Sequence, residues 1–139
     1  MKAKIKRISG LALAGVSDTN HWVAMDAPQQ FGGSHAGARP MELILIGVAG
    51  CAGMDVLSIL QKKRVKLLDF AMEVEAEQAE DHPQVFTKII LHYIFTGKDI
   101  RPADIERSIK LTEEKYCSAT AMLSNNVEIV HDYQIREPD

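Results

Sequence analysis

The sequence predicts an α+β domain, and three observations predict it. Six segments have strand character, a long helix is apolar nearly all round, and a second, amphipathic helix precedes the last strand. With 139 residues, 46% of them hydrophobic, the chain can bury a core of its own as one domain spanning 1–139.

Lys2 to Ser9, Leu11 to Val16 and His21 to Asp26 read as three short strands. From Ala27 to Arg39 the composition turns to Pro, Gln, Gly, Ser and His. Gly32, Gly33 and Gly37 can take positive φ there, so the segment is a surface loop. Pro40 suits a first helical turn, where its missing N–H would have no partner anyway. The helix it opens runs to about Arg64, and its apolar middle implies that it is enclosed. Gly47, Gly50 and Gly53 each cost about 1 kcal/mol in a helix interior, which suggests close approach of another backbone, a second helix crossing at Cys51.

Leu68 to Ala76 alternates, with Leu68, Phe70, Met72 and Val74 on one side. Asp81, His82 and Pro83 make a turn into Val85 to Thr96, and the two strands form a hairpin. Pro102 opens a helix reaching about Leu123, with Ile105, Ile109, Thr112, Tyr116, Ala119 or Thr120, and Leu123 as its inward stripe. Cys117 lies beside that stripe. Asn125 and Asn126 end it, and Val127 to Ile135 alternates as the final strand.

Composition narrows the function. Sixteen basic and nineteen acidic residues are interspersed, and no basic cluster exceeds Lys62-Lys63-Arg64, which argues against a nucleic-acid groove. The longest apolar run, Leu43 to Gly53, is about half of the roughly 20 residues that a bilayer span requires. Lys2, Lys4, Lys6 and Arg7 before Leu11 to Ala14 imitate a secretory signal, but Ser9 and Gly10 interrupt it. The expectation is a cytoplasmic protein with reduced thiols and no membrane partner.

The five histidines fall on separate elements, and no C-x-x-C or H-x-x-x-H spacing occurs, so no metal and no cofactor is expected. His35 reads as a solvated loop residue. No G-x-S-x-G elbow or P-loop is present, and nothing singles out one histidine for a Cys–His acyl-transfer pair. Thiol chemistry remains. Cys51 stands between Ala49-Gly50 and Ala52-Gly53, which leaves room for a ligand, and Cys117 is followed by Ser118 and Ala119. Two free cysteines are also unremarkable core residues. An unperturbed thiol is only about 3% thiolate at pH 7, so reactivity needs a nearby cation.

The stretch Arg39-Pro40-Met41-Glu42-Leu43-Ile44-Leu45-Ile46-Gly47-Val48-Ala49-Gly50-Cys51, together with Glu114-Lys115-Tyr116-Cys117-Ser118 and the hairpin between, resembles the OsmC/Ohr family of osmotically inducible and organic hydroperoxide resistance proteins. It is most similar to the OsmC-like branch with a Pro-Met-Glu-Leu helix start. The resemblance implies antiparallel sheets wrapped around two central helices in an intertwined homodimer. It also implies a peroxidase in which Cys51 attacks an organic hydroperoxide and becomes a sulfenic acid, and Cys117 resolves it as a disulfide. A dithiol reductant, lipoyl-linked in the Ohr branch, would reopen that bond.

In characterised relatives a glutamate directly follows the helix-starting proline and pairs with an upstream arginine that activates the reactive cysteine. Here Met41 follows Pro40, Glu42 comes one position later, and no arginine occurs from His21 to Ala38. Arg39, with Glu42 as partner, is the expected replacement, ahead of Arg7. Glu42 and Cys51 are separated by about 13.5 Å of helical rise and lie near opposite faces, so any joint action crosses the dimer. A competing expectation is a stress-associated binding protein of the same fold, weakly active on peroxides or inactive, holding a hydrophobic ligand at the dimer interface. A third is a structural disulfide between the cysteines, worth about 4 kcal/mol, which a reducing cytoplasm disfavours.

Overall fold

The computed structural model describes residues 1–139, and its contacts gather into two compact units, Met1–Ile44 and Leu45–Asp139. In the first, β1 (Ala3–Ser9), β2 (Ala12–Ser17) and β3 (Val23–Met25) form an antiparallel sheet in that order. Gly10, at φ 58°, turns β1 back into β2. So small a unit leaves apolar side chains uncovered, including Ile5, Ile8 and Trp22.

β3 stops earlier than its sequence suggests because Asp26 organises the loop that follows. Its carboxylate accepts backbone N–H groups from Ala27 at 2.7 Å, Ser34 at 3.0 Å and Ala36 at 3.1 Å. A one-turn 3₁₀ helix at Gln29–Phe31 lies within the loop, which returns to pair Ala38 with Met25. Only Gly32 of the loop glycines uses positive φ. Gly33 and Gly37 are needed for close approach instead: a Cβ at Gly33 would lie 1.8 Å from the Ala27 carbonyl oxygen, and one at Gly37 2.7 Å from that of Ala24.

Helix α1 (Pro40–Lys62) starts in the first unit and continues into the second. Its start is capped from within, since Glu42 Oε1 accepts the Arg39 backbone N–H at 2.8 Å. Val48, Ala52, Val56 and Leu60 recur every four residues and are buried, whereas Ile46 and Met54 on other faces are exposed. The helix is therefore covered along one side within the chain, not enclosed. By length and composition alone it could cross a membrane, but its buried stripe packs as a core helix does. Within the chain no second backbone lies against the glycines of α1. Gly47 and Gly50 face open space, and Gly53 makes room for the Met72 sulfur and the Phe70 ring.

In the second unit β4 (Asp69–Gln78) and β5 (Phe86–Thr96) form the expected antiparallel hairpin, and β6 (Glu128–Arg136) joins β5 in parallel. The sheet is thus mixed, which corrects the all-antiparallel expectation. A parallel neighbour needs a crossover, and the helical segment between β5 and β6 supplies it. Ile89, Leu91, Tyr93 and Phe95 alternate along β5 and meet the α1 stripe together with Ile105 and Ile109 of α2 (Pro102–Leu111).

Two outcomes test this packing. Leu60, 1% exposed, anchors the α1 stripe, so Leu60→Ala should lower unfolding free energy by about 2–5 kcal/mol in urea titration. The Ala27, Ala36 and Ser34 backbone donors hold Asp26 below the usual carboxylate range against the opposing effect of burial. Its stabilising contribution is present above the ordinary carboxylate pKa and is lost as pH falls through the lowered native value. Asp26→Asn should speed hydrogen exchange at the Ser34 and Ala36 amides and remove that part of the acid sensitivity.

Candidate functional site

The second helical segment is not continuous, and the break places Cys117. After α2, residues Thr112–Tyr116 form a π turn, Cys117 takes an extended conformation (φ −74°, ψ 103°), and α3 (Ser118–Leu123) follows. The Cys117 N–H donates to the Thr112 carbonyl at 2.9 Å, a five-residue step where an α-helix takes four. An uninterrupted helix would carry the inward stripe from Thr112 to Tyr116. The extra residue leaves Tyr116 48% exposed and turns Cys117 inward, 2% exposed. Thr120 then holds the cysteine from both ends: its N–H donates to Sγ at 3.5 Å, and its hydroxyl donates to the Cys117 carbonyl at 3.2 Å.

On α1, Cys51 and Asp55 are one turn apart on the same face, each one position before a buried residue of the stripe, Ala52 and Val56. The Cys51 and Cys117 sulfurs and a carboxylate oxygen of Asp55 all lie within 4.8 Å of one another. Both cysteines are free; Cys51 is partly accessible and Cys117 buried. Asp55 Oδ2 is buried without a hydrogen-bond partner. The fold thus assembles a ligand-like group that local spacing could not reveal.

A polar group adjoins the pair. Tyr93 is fully buried, and its hydroxyl shares a 3.0 Å hydrogen bond with His131 Nδ1, while His131 Nε2 has no partner. Burial, with the negative potential of Cys117, Glu113 and Asp55, keeps the phenol protonated far above its usual pKa. Burial also holds His131 below its usual range, so it is neutral at pH 7. The Cys117 thiol is pushed up by burial, the Thr120 hydrogen bonds oppose the rise, and neighbouring Cys51 adds to it. It therefore rests as a thiol at neutral pH.

Arg39 and Glu42 belong to the first unit. The Glu42 carboxylate bonds the Arg39 backbone rather than its guanidinium, and Arg39 makes no ion pair within the chain. Arg39 also borders a largely apolar cavity of about 200 Å³ in that unit, with Leu11, Leu13, Met25 and Pro28. Sequence reasoning missed Asp55, although its position four residues after Cys51 was a signal. It could not have found His131 or Glu113, which reach the site through tertiary packing.

Residues 32–132 match the family model described as OsmC-like protein. The chain is 39% identical over 135 residues to protein YhfA of Escherichia coli strain K12, covering 97% of this chain and 98% of YhfA. Its fold is similar to a crystal structure of a hypothetical protein from Aquifex aeolicus, with TM-score 0.86, 25% identity, and 99% and 97% of the two chains covered. It is also similar in fold to an organic hydroperoxide resistance protein OsmC from Legionella pneumophila, with TM-score 0.73, 18% identity, and 96% and 95% covered. With its two cysteines drawn together across this fold, the chain belongs to the OsmC-like protein family.

Proposed function

We propose that the chain is a thiol-dependent peroxidase that reduces organic hydroperoxides to alcohols, with Cys51 as the attacking and Cys117 as the resolving cysteine. The observation that carries this reading is the sulfur pair, one partly accessible and one buried, within 4.8 Å of each other. The Cys51 thiolate attacks one oxygen of the O–O bond and becomes a sulfenic acid. The other oxygen leaves as alkoxide and takes a proton to give the alcohol. Cys117 then attacks the Cys51 sulfur, a disulfide forms, and water departs. An external dithiol, of the lipoyl-linked kind, returns the pair to thiols. The names of the Legionella structure and of an organic hydroperoxide resistance protein from Elizabethkingia anophelis agree with hydroperoxides as the substrate class.

In this proposal the activating cation is Arg39 supplied across a homodimer, with Glu42 ordering the helix start that carries it. Supporting it are the uncovered apolar side chains of α1 and the open faces of Gly47 and Gly50, which leave space for a second copy. The free thiols suit a reducing cytoplasm. The apolar cavity beside Arg39 favours a second reading, a binding protein that holds a hydrophobic ligand with little peroxidase activity.

Stopped-flow consumption of cumene hydroperoxide by the reduced protein separates the two. The peroxidase should lose consumption entirely in Cys51→Ser, while Cys117→Ser completes one turnover and accumulates a sulfenic acid. Slow consumption that Cys51→Ser leaves unchanged would leave the binding reading standing.

The raised Cys117 pKa sets a further expectation. Closure of the disulfide should accelerate with pH, without levelling at the ordinary thiol value of about 8.5, as the small thiolate fraction grows. Below the ordinary value the same shift stabilises the fold, and that contribution is lost as pH rises through the native pKa. Rapid-quench measurement of disulfide formation across alkaline pH reads the rate directly.

A further inference from the structure

We propose that the reduced chain binds one soft divalent cation, zinc by preference, through Cys51 Sγ, Cys117 Sγ and a carboxylate oxygen of Asp55. Three observations converge on it. The two sulfurs and one carboxylate oxygen of Asp55 lie within 4.8 Å of one another. Tetrahedral zinc, with bonds of about 2.3 Å to sulfur and about 2.0–2.2 Å to oxygen, places its ligands roughly 3.5–3.8 Å apart, so only a small closure is needed. Asp55 Oδ2 is buried and unpartnered, an arrangement that costs free energy unless something accepts its charge. No arginine, lysine or histidine of the chain pairs with Asp55.

The donor set also suits the ion. Two thiolates select zinc over magnesium or calcium, and the carboxylate completes three protein ligands with a fourth position left for water. Binding releases the two thiol protons to solvent, and thiolate, thiolate, carboxylate and Zn²⁺ sum to a charge of −1. The Thr120 N–H on Cys117 Sγ supplies the kind of outer hydrogen bond that orients a metal-bound thiolate. With zinc bound, both sulfurs are engaged, so neither is free for peroxide or alkylating agents. The site does not require the peroxidase reading, because it needs only reduced thiols.

Anaerobic titration of the reduced full chain with Co²⁺ tests the site. The expected result is one equivalent bound with a thiolate-to-cobalt charge-transfer band and the visible bands of a tetrahedral ion, both erased by Zn²⁺. Asp55→Asn should weaken binding by at least about tenfold, the scale of losing one metal-site partner, while the charge-transfer band persists at saturation. Cys117→Ser should reduce that band. In wild-type protein, which needs no variant to fold, Zn²⁺ should slow alkylation of the partly accessible Cys51 severalfold or more. An octahedral spectrum without charge transfer, Asp55→Asn binding as tightly as wild type, or alkylation indifferent to zinc would each overturn the proposal. Hydroperoxide consumption by metal-free protein, measured in parallel, reports on the peroxidase reading separately.

Discussion

The hydrogen bond from the Cys117 N–H to the Thr112 carbonyl is the constraint on which the rest of the site depends. By closing a five-residue step it inserts one residue into the helical count, so the position that faces the core after Thr112 is Cys117 rather than Tyr116. A side chain on the following turn is rotated by about 100° when a residue is added, enough to exchange a buried position for an exposed one. Without the insertion, Cys117 would lie off the stripe, and the approach to Cys51 would be lost. The Thr120 contacts then hold the displaced residue in place.

What this geometry concentrates is acidity. Two thiols and a carboxylate share a space only 4.8 Å across, with Tyr93 and Glu113 close enough to bear on the same potentials. Like-charged groups at such range disfavour joint ionisation, and burial adds to the effect. Cys117 shows the consequence in its raised pKa. The cluster therefore holds the Cys117 thiol protonated until positive charge arrives from outside it. That single requirement links the peroxidase reading, in which an arginine supplies the charge, to the metal reading, in which a divalent cation does.

Most of the fold was legible in the sequence because its strands and helices follow simple periods. The alternation in β4, the turn at Asp81 to Pro83 and the capping of α1 at Pro40 all correspond to the structure within a residue or two. The failures have local causes. A π turn has no strong compositional signature, so Thr112 to Cys117 read as ordinary helix. The parallel placement of β6 follows from a crossover that periodicity does not encode. The glycines of α1 suggested close approach of another backbone, but what meets Gly53 is side chains from β4, and nothing within the chain lies against Gly47 or Gly50. The cysteines stand out by their surroundings and by family resemblance, whereas a single carboxylate at Asp55 reads as an ordinary polar position of the helix until the fold brings Cys117 to it.

The central claim is that Cys51 and Cys117 act as one redox unit. Mass mapping of the reduced chain after one equivalent of an organic hydroperoxide under native conditions tests it most directly. The account predicts that both thiols disappear together into an intramolecular Cys51–Cys117 disulfide, with one equivalent of alcohol released. Both thiols remaining free with the hydroperoxide unconsumed would contradict it.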